Sequence, residues 1–331
     1  MESSVARAIA LVSCCLYALA MGAESPEVEN ARQYGARGKV TLRVVDSKGS
    51  PVGQAHLSLA FFPTDTYAKV DVREGQTDND GLFVVEGKTV ADMAYGVKKE
   101  GHYGTTGKYW FYRQGEECVV SGRWQPWNPT VTVALKERRK PVPLYAKQVY
   151  IAIPVQGTPI GFDLEKGDWV APHGQGVTAD LVIRYVATYD APPVFSKRLE
   201  MAFSNAQDGV QALPLDRTSQ FVSAYAAPES GYAPRLVLEY ERTRAGIIRN
   251  QDIGNDRYLV FRVRTATDKD GTITGTNHGK IYGPINYGRM GETHRLMFCY
   301  YFNPTVNDPN LEFDPSQNLF GQTDRQRVYR P

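Results

Sequence analysis

Lys39-Val40-Thr41-Leu42-Arg43-Val44-Val45, closed by Asp46-Ser47-Lys48-Gly49-Ser50-Pro51, decides the fold class. Val40, Leu42 and Val44 alternate with Thr41 and Arg43, which is the two-residue period of a half-buried strand. The six residues that follow favour a tight turn through side-chain capping and fixed or permissive φ angles. The same grammar repeats downstream. Ala55, Leu57, Leu59 and Phe61 alternate, and Asp78-Asn79-Asp80-Gly81 makes a turn before Leu82-Phe83-Val84-Val85. Tyr95 and Val97 open a strand that closes near Gly101; Tyr109 to Tyr112 and Thr130 to Leu135 add two more. Short strands at short intervals, about seven of them, are the pattern of a β-sandwich. The only helical turn expected in this block is at Thr89–Met93.

The order Val44-Val45-Asp46, Gly49-Ser50-Pro51-Val52, Ala55, and then Thr77-Asp78-Asn79-Asp80-Gly81-Leu82-Phe83 resembles the carboxypeptidase regulatory-like (prealbumin-like) β-sandwich of secreted bacterial proteins. Val97-Lys98-Lys99-Glu100-Gly101-His102-Tyr103 resembles a later stretch of that family. The resemblance spans roughly residues 38–137. Its motifs are turn and core positions, so it implies a fold and no catalytic residue.

Lys136-Glu137-Arg138-Arg139-Lys140-Pro141-Val142-Pro143 reads as a charged, proline-broken junction. Beyond it, strands are expected at Gln148–Ile153, Asp180–Val186, Arg235–Tyr240, Arg257–Arg264 and Leu296–Phe302, among long polar loops. The second half resembles uncharacterised secreted bacterial proteins in Pro141 to Lys147 and in Asn303 to Pro315, a likeness that implies no activity. The expected fold is therefore all-β. An N-terminal prealbumin- or immunoglobulin-like sandwich over 38–137 precedes a larger β-sandwich or jelly-roll-like domain over 148–320. Residues 24–37 read as a linker, 138–147 as the junction and 321–331 as a flexible tail.

The first residues carry an address. Arg7 precedes an apolar run from Ala8 to Met21, and no acid lies between Glu2 and Glu24. A basic flank, a short apolar core and small residues before Ala23 read as a secretory signal over residues 1–23. The run is too short for a spanning helix of about 20 residues, and no later run is apolar enough, so no transmembrane helix is expected in the mature chain. A second reading takes Leu11-Val12-Ser13-Cys14 as a lipoprotein box, which would place a lipid anchor on Cys14. Either way the mature chain is expected outside the cytoplasm, secreted or in the periplasm or cell envelope. Of the four cysteines, Cys14 and Cys15 fall in this segment. Cys118 and Cys299 fall in different halves and read as buried, unpaired thiols.

The 331 residues carry 38 Lys and Arg against 36 Asp and Glu, a net charge of +2. That balance excludes the strong positive field of a nucleic-acid binder. At 42% hydrophobic and 22% charged, the chain is not disordered.

No motif demands a reaction centre. There is no G-x-S-x-G elbow, and no two of His56, His102, His173, His278 and His294 stand three or four residues apart. Asp268-Lys269-Asp270-Gly271 comes nearest to a calcium loop. With Gly271 at the sixth position, however, Ala266 and Asn277 occupy the first and twelfth, so a hairpin turn explains it better. No cofactor is implied. The aromatic residues give the sharper idea. Trp110, in Tyr109-Trp110-Phe111-Tyr112, together with Trp124 and Trp127 around Pro126, would make a platform for sugar faces. The competing reading packs these rings into the sandwich. The expected function is a non-enzymatic envelope or extracellular protein that binds a glycan or a protein partner. The alternatives are a secreted hydrolase with a site in the loops of 165–290 and a purely structural envelope component.

Overall fold

The computed structural model describes residues 24–331 except 67, 322–325 and 329. The signal and lipid-anchor readings of residues 1–23 lie outside the described residues. The chain divides into two compact units, one ending at Arg138 but including Thr218–Gln220, the other formed by Arg139–Arg217 and Phe221–Pro331. Both are built of strands, and no helix among the described residues is long and apolar enough to cross a membrane.

The first unit opens with a helix, α1 (Pro26–Tyr34), where a linker was expected over 24–37. Its signals are local. Ser25 caps the Val28 N–H, Pro26 takes the first turn with Glu27 and Glu29, and Gly35 ends the helix at a φ of 77°. Only Val28 and Ala31 are buried, too few apolar residues to register as a period. Nine strands follow: β1 (Ala36–Val45), β2 (His56–Phe61), β3 (Asp71–Gln76), β4 (Leu82–Thr89), β5 (Asp92–Lys98), β6 (Thr105–Trp110), β7 (Val119–Val120), β8 (Arg123–Trp124) and β9 (Thr130–Ala134). One sheet runs β4-β1-β8-β7, with β9 also pairing β1, in parallel; the other runs β3-β2-β5-β6. Val40, Leu42 and Val44 of the first sheet and Leu57, Leu59 and Phe61 of the second share one buried core, which makes a sandwich. Asp46 closes the β1 turn by accepting the N–H groups of Lys48 and Ser50. Thr89–Met93 is not helical. It forms the corner between β4 and β5, where the Thr89 hydroxyl donates to the Asp92 carbonyl.

The second unit holds eleven strands: β10 (Tyr145–Ala152), β11 (Ile160–Asp163), β12 (Asp168–Trp169), β13 (Leu181–Tyr189), β14 (Phe195–Ala202), β15 (Gly209–Pro214), β16 (Arg235–Thr243), β17 (Gly246–Gln251), β18 (Arg257–Thr267), β19 (Ile273–Met290) and β20 (Thr293–Asn303). A five-stranded sheet, β10-β20-β19-β18-β15, faces a six-stranded one, β12-β11-β13-β14-β16-β17. Their inner faces meet in a second core that includes Phe162, Tyr185, Leu199, Phe261, Phe298 and Tyr300. Both units are thus β-sandwiches, as the alternating pattern predicts. β19 was read as loop. It pairs on both edges, with β18 and β20, and Gly279 lets it do so: a Cβ there would come within 2.2 Å of the Phe261 ring and 2.4 Å of the Tyr301 carbonyl. Part of the expected flexible tail is also ordered. Gln148 N–H donates to the Gln326 carbonyl at 2.7 Å, and Val328 packs near Tyr301 and Phe313.

A buried charge network ties the two sheets of the second unit together at one end. Arg264, near the end of β18, donates to both oxygens of Asp180 at 2.7 and 3.0 Å and pairs with Glu165. Its guanidinium lies 4.9 Å from the centre of the Phe302 ring. Asp180 precedes β13 with its side chain wholly buried. Burial raises the Asp180 pKa, and the bonds from Arg264 and the Leu164 N–H oppose the rise. Asp163, nearby, accepts four backbone N–H groups, from Glu165, Lys166, Val177 and Thr178. Removing one partner of such a pair leaves a charge uncompensated inside the protein. Arg264→Leu is expected to lower the unfolding free energy in urea by about 3–5 kcal/mol. Adding Asp180→Asn is expected to recover part of that loss. A loss below about 1 kcal/mol would show that the network does not hold the sheets.

Candidate functional site

The structure does not assemble the tryptophan platform. Trp124 is fully buried on β8. Its Nε1 donates to the Thr89 carbonyl at 2.8 Å, and its ring stacks on Phe111. The pairing of β8 with β7 and β1 turns this side chain into the core, which the Trp-Gln-Pro-Trp spacing did not reveal. Trp110 is 54% exposed on the outer face of β6, with the Lys108 ammonium 5.4 Å from its ring centre. Trp127 is half-buried after β8, beneath the Arg123 guanidinium at 5.1 Å. Trp110 therefore lies on β6 and Trp127 in the bend between β8 and β9, and Trp124 presents no surface to a ligand.

The polar candidates are also dispersed. His173 is exposed in a turn after β12. His278 is buried on β19 opposite Arg262, and its Nδ1 finds no hydrogen-bond partner. Burial, followed by the charge of Arg262, holds the His278 pKa down at about 4. Asp268 accepts the N–H groups of Asp270 and Thr272 at the β18–β19 hairpin tip, so that string is a turn. Among the described residues no three His, Cys, Asp or Glu side chains gather closely enough to hold a metal ion. Cys118 and Cys299 are free thiols, and burial pushes the Cys299 pKa up to about 11. Lys280 is buried with its Nζ donating to Ser223 Oγ at 3.1 Å and Tyr282 OH at 2.7 Å. Lys280 and Ser223 are buried, and Tyr282 is partly so.

A different set of residues does converge. Along β13, β14 and β16, the residues that face the core in mid-strand are Tyr185, Leu199 and Leu238. The same faces continue to Tyr189, Phe195, Lys197 and Tyr240, because side chains two apart share a face. Register sets Tyr189 directly opposite Phe195, and Lys197 opposite Tyr240. Tyr189 and Phe195 stack at 5.7 Å, Phe195 and Tyr240 at 5.3 Å. From the opposing sheet come Tyr287, Arg289 and Met290 of β19 and Met297 of β20. Together with Tyr189, Phe195 and Lys197 they line an open cavity of 460 Å³ at this mouth of the sandwich. Lys197 Nζ donates to the Tyr287 carbonyl at 2.8 Å and lies 4.5 Å from the Tyr287 ring centre. Burial lowers the Lys197 pKa. Gly288, at a φ of 134°, leaves space beside Lys197 and Tyr189. The Tyr189 hydroxyl accepts the Arg289 N–H at 3.0 Å and fixes the rim. Tyr185 OH lies 3.0 Å from His294 Nδ1 just below it. An aromatic cavity of this size with a few converging polar groups suits a small organic ligand or a short segment of a polymer.

No protein-family model and no curated protein matches the chain. Solved structures do. The 3-chlorocatechol 1,2-dioxygenase of Rhodococcus opacus 1CP aligns at 11% identity and a TM-score of 0.26, over 32% of this chain and 62% of its own. The chain thus spans less than two thirds of that enzyme. The shaft pilin spaA of Lactobacillus rhamnosus GG aligns at 8% identity and a TM-score of 0.24, over 83% and 94% of the two chains. BcpA, the major pilin subunit of Bacillus cereus, aligns at 12% and 0.23, over 79% and 95%. Likeness at this level says nothing about activity.

Two measurements check the placement of these side chains. Trp124→Ala is expected to destabilise the first unit by about 3–5 kcal/mol, as large core truncations do. Trp110→Ala should stay within about 0.5 kcal/mol of the parent. Equal effects would contradict the burial of Trp124. His278 has a folded pKa below its unfolded one, so protons bind the unfolded chain first as pH falls. Stability is expected to decline between pH 6.5 and about 4, by up to about 3 kcal/mol from this residue. His278→Asn should flatten that slope in urea titrations at pH 7.5 and 4.5. An unchanged slope would place the titration elsewhere.

Proposed function

We propose that the protein is an exported, non-enzymatic component of the cell envelope or extracellular space that holds a glycan in the mouth of its second sandwich. The supporting observation is the aromatic row Tyr189, Phe195 and Tyr240, which continues the core face to the open cavity that Tyr189 and Phe195 line. Sugars present apolar C–H faces to aromatic rings, and nearby polar groups fix their hydroxyls. Lys197, Asn286 and the rim backbone supply such groups here. Export is supported by the basic and apolar N-terminal segment before Ala23.

A glycan array probed with the chain lacking residues 1–23 tests this reading. Binding is expected, with a loss of tenfold or more in Phe195→Ala and Tyr240→Ala and none in Trp110→Ala or Trp127→Ala. Binding that follows Trp110 or Trp127 would move the site to the first unit. Absence of any glycan ligand would end the proposal.

A further inference from the structure

Resting on that reading, we infer that the mouth of the second sandwich selects an acidic glycan, one that carries carboxylates, with the anion held between Lys197 and Arg289. The cavity lined by Tyr189, Phe195, Tyr287, Met290 and Met297 contains these two cations and no carboxylate. Among the described residues neither cation forms an ion pair with an acid. Lys197 Nζ contacts the Tyr287 carbonyl and aromatic faces, and Arg289 Nε donates to the Gly291 carbonyl at 3.0 Å. Burial, followed by the charge of Arg289, lowers the His294 pKa beside this rim.

The outer faces of the same strands are arranged differently. Arg198 pairs with Glu239, Arg249 with Glu239 at 2.9 Å, and Arg235 approaches Glu200 at 3.7 Å. Two acids, Glu239 and Asp252, line the neighbouring hollow that Lys197 also borders. Glu239 is held by these arginines, and Asp252 accepts the Gly254 N–H at 2.7 Å. An unmatched pair of cations beside aromatic walls complements a ligand with an apolar ring face and a carboxylate on its edge, the chemistry of a uronic acid. A neutral sugar would leave Lys197 without a partner of opposite charge.

Calorimetric titration of the same chain with trimers from polygalacturonate, alginate and hyaluronan, each beside its carboxyl-reduced form, tests the inference. At least one acidic trimer is expected to bind about tenfold or more tightly than its reduced form, because hydrogen bonds to charged groups contribute more than neutral ones. Lys197→Met and Arg289→Gln should each remove most of that preference, as should raised salt. Arg289 is exposed, so its variant is expected to fold even if Lys197→Met does not, and thermal unfolding of both monitors this. Equal binding of acidic and reduced trimers, or a preference indifferent to both variants, would overturn the acidic inference and leave the glycan reading standing. Binding of no trimer in either form, together with a blank glycan array, would overturn both.

Discussion

The Arg264 guanidinium, folded over the Phe302 ring and clamped by Asp180 and Glu165, joins a strand of the five-stranded sheet to two segments of the six-stranded one. β13 starts beside this clamp at Leu181 and ends at Tyr189, eight residues later, about 25–30 Å away along an extended chain. Twisted sheets that pack face to face stay close along one direction and splay at their corners. The clamp lies at one end of this packing. There the polar backbone of the Asp163–Thr178 loop is consumed by buried carboxylates, so little is left for a ligand. At the opposite end no ion pair crosses between the sheets among the described residues. The gap is filled by wide rings and by the Lys197 stem.

That geometry explains why the fold was legible and one of its central strands was not. β1 faces a core on one side and partial solvent on the other, so Val40, Leu42 and Val44 stand out against Thr41 and Arg43. β19 is buried over the unbroken run Gly275 to Ile281, with Thr, Asn, His, Gly and Lys among those residues. A strand covered on both faces shows no alternation, and one rich in glycine shows no apolar run either. β3 fails for the opposite reason. It is an edge strand with little burial on any face, so Asp71–Gln76 reads as loop. In α1 the helical information sits in the caps at Ser25 and Gly35, outside the periodic pattern.

The site was less legible because register, which sequence spacing does not encode, brings it together. Trp110, Trp124 and Trp127 are close in the chain, but Trp110 lies on the exposed face of β6, Trp124 in the core on β8 and Trp127 in the bend after it. Tyr189, Phe195 and Tyr240 are distant in the chain and meet because β13, β14 and β16 pair in register, and Tyr287 reaches the cavity from β19 of the facing sheet. One sequence signal does point there. Tyr189 and Phe195 bracket Asp190-Ala191-Pro192-Pro193, a turn-forming stretch, so two rings were bound to sit across a hairpin.

Lys197 and Arg198 show how far the two-residue period governs chemistry as well as folding. The two are adjacent in β14, and their side chains leave the sheet on opposite faces. Arg198 emerges among Glu200 and Glu239 and is neutralised in solvent, where such pairs contribute little. Lys197 enters the space between the sheets, where the surrounding rings are Tyr240 and Tyr287 and the nearest oxygen is a backbone carbonyl. An ammonium there remains half-desolvated and, among the described residues, has no ion-pair partner, a condition a bound carboxylate relieves more effectively than water shared with aromatic faces. A shift of one residue in the register of β14 would exchange the two cations, neutralising the mouth and leaving an unpaired charge on the open face. The alternation that builds the sandwich is therefore also what separates its balanced exterior from its uncompensated mouth.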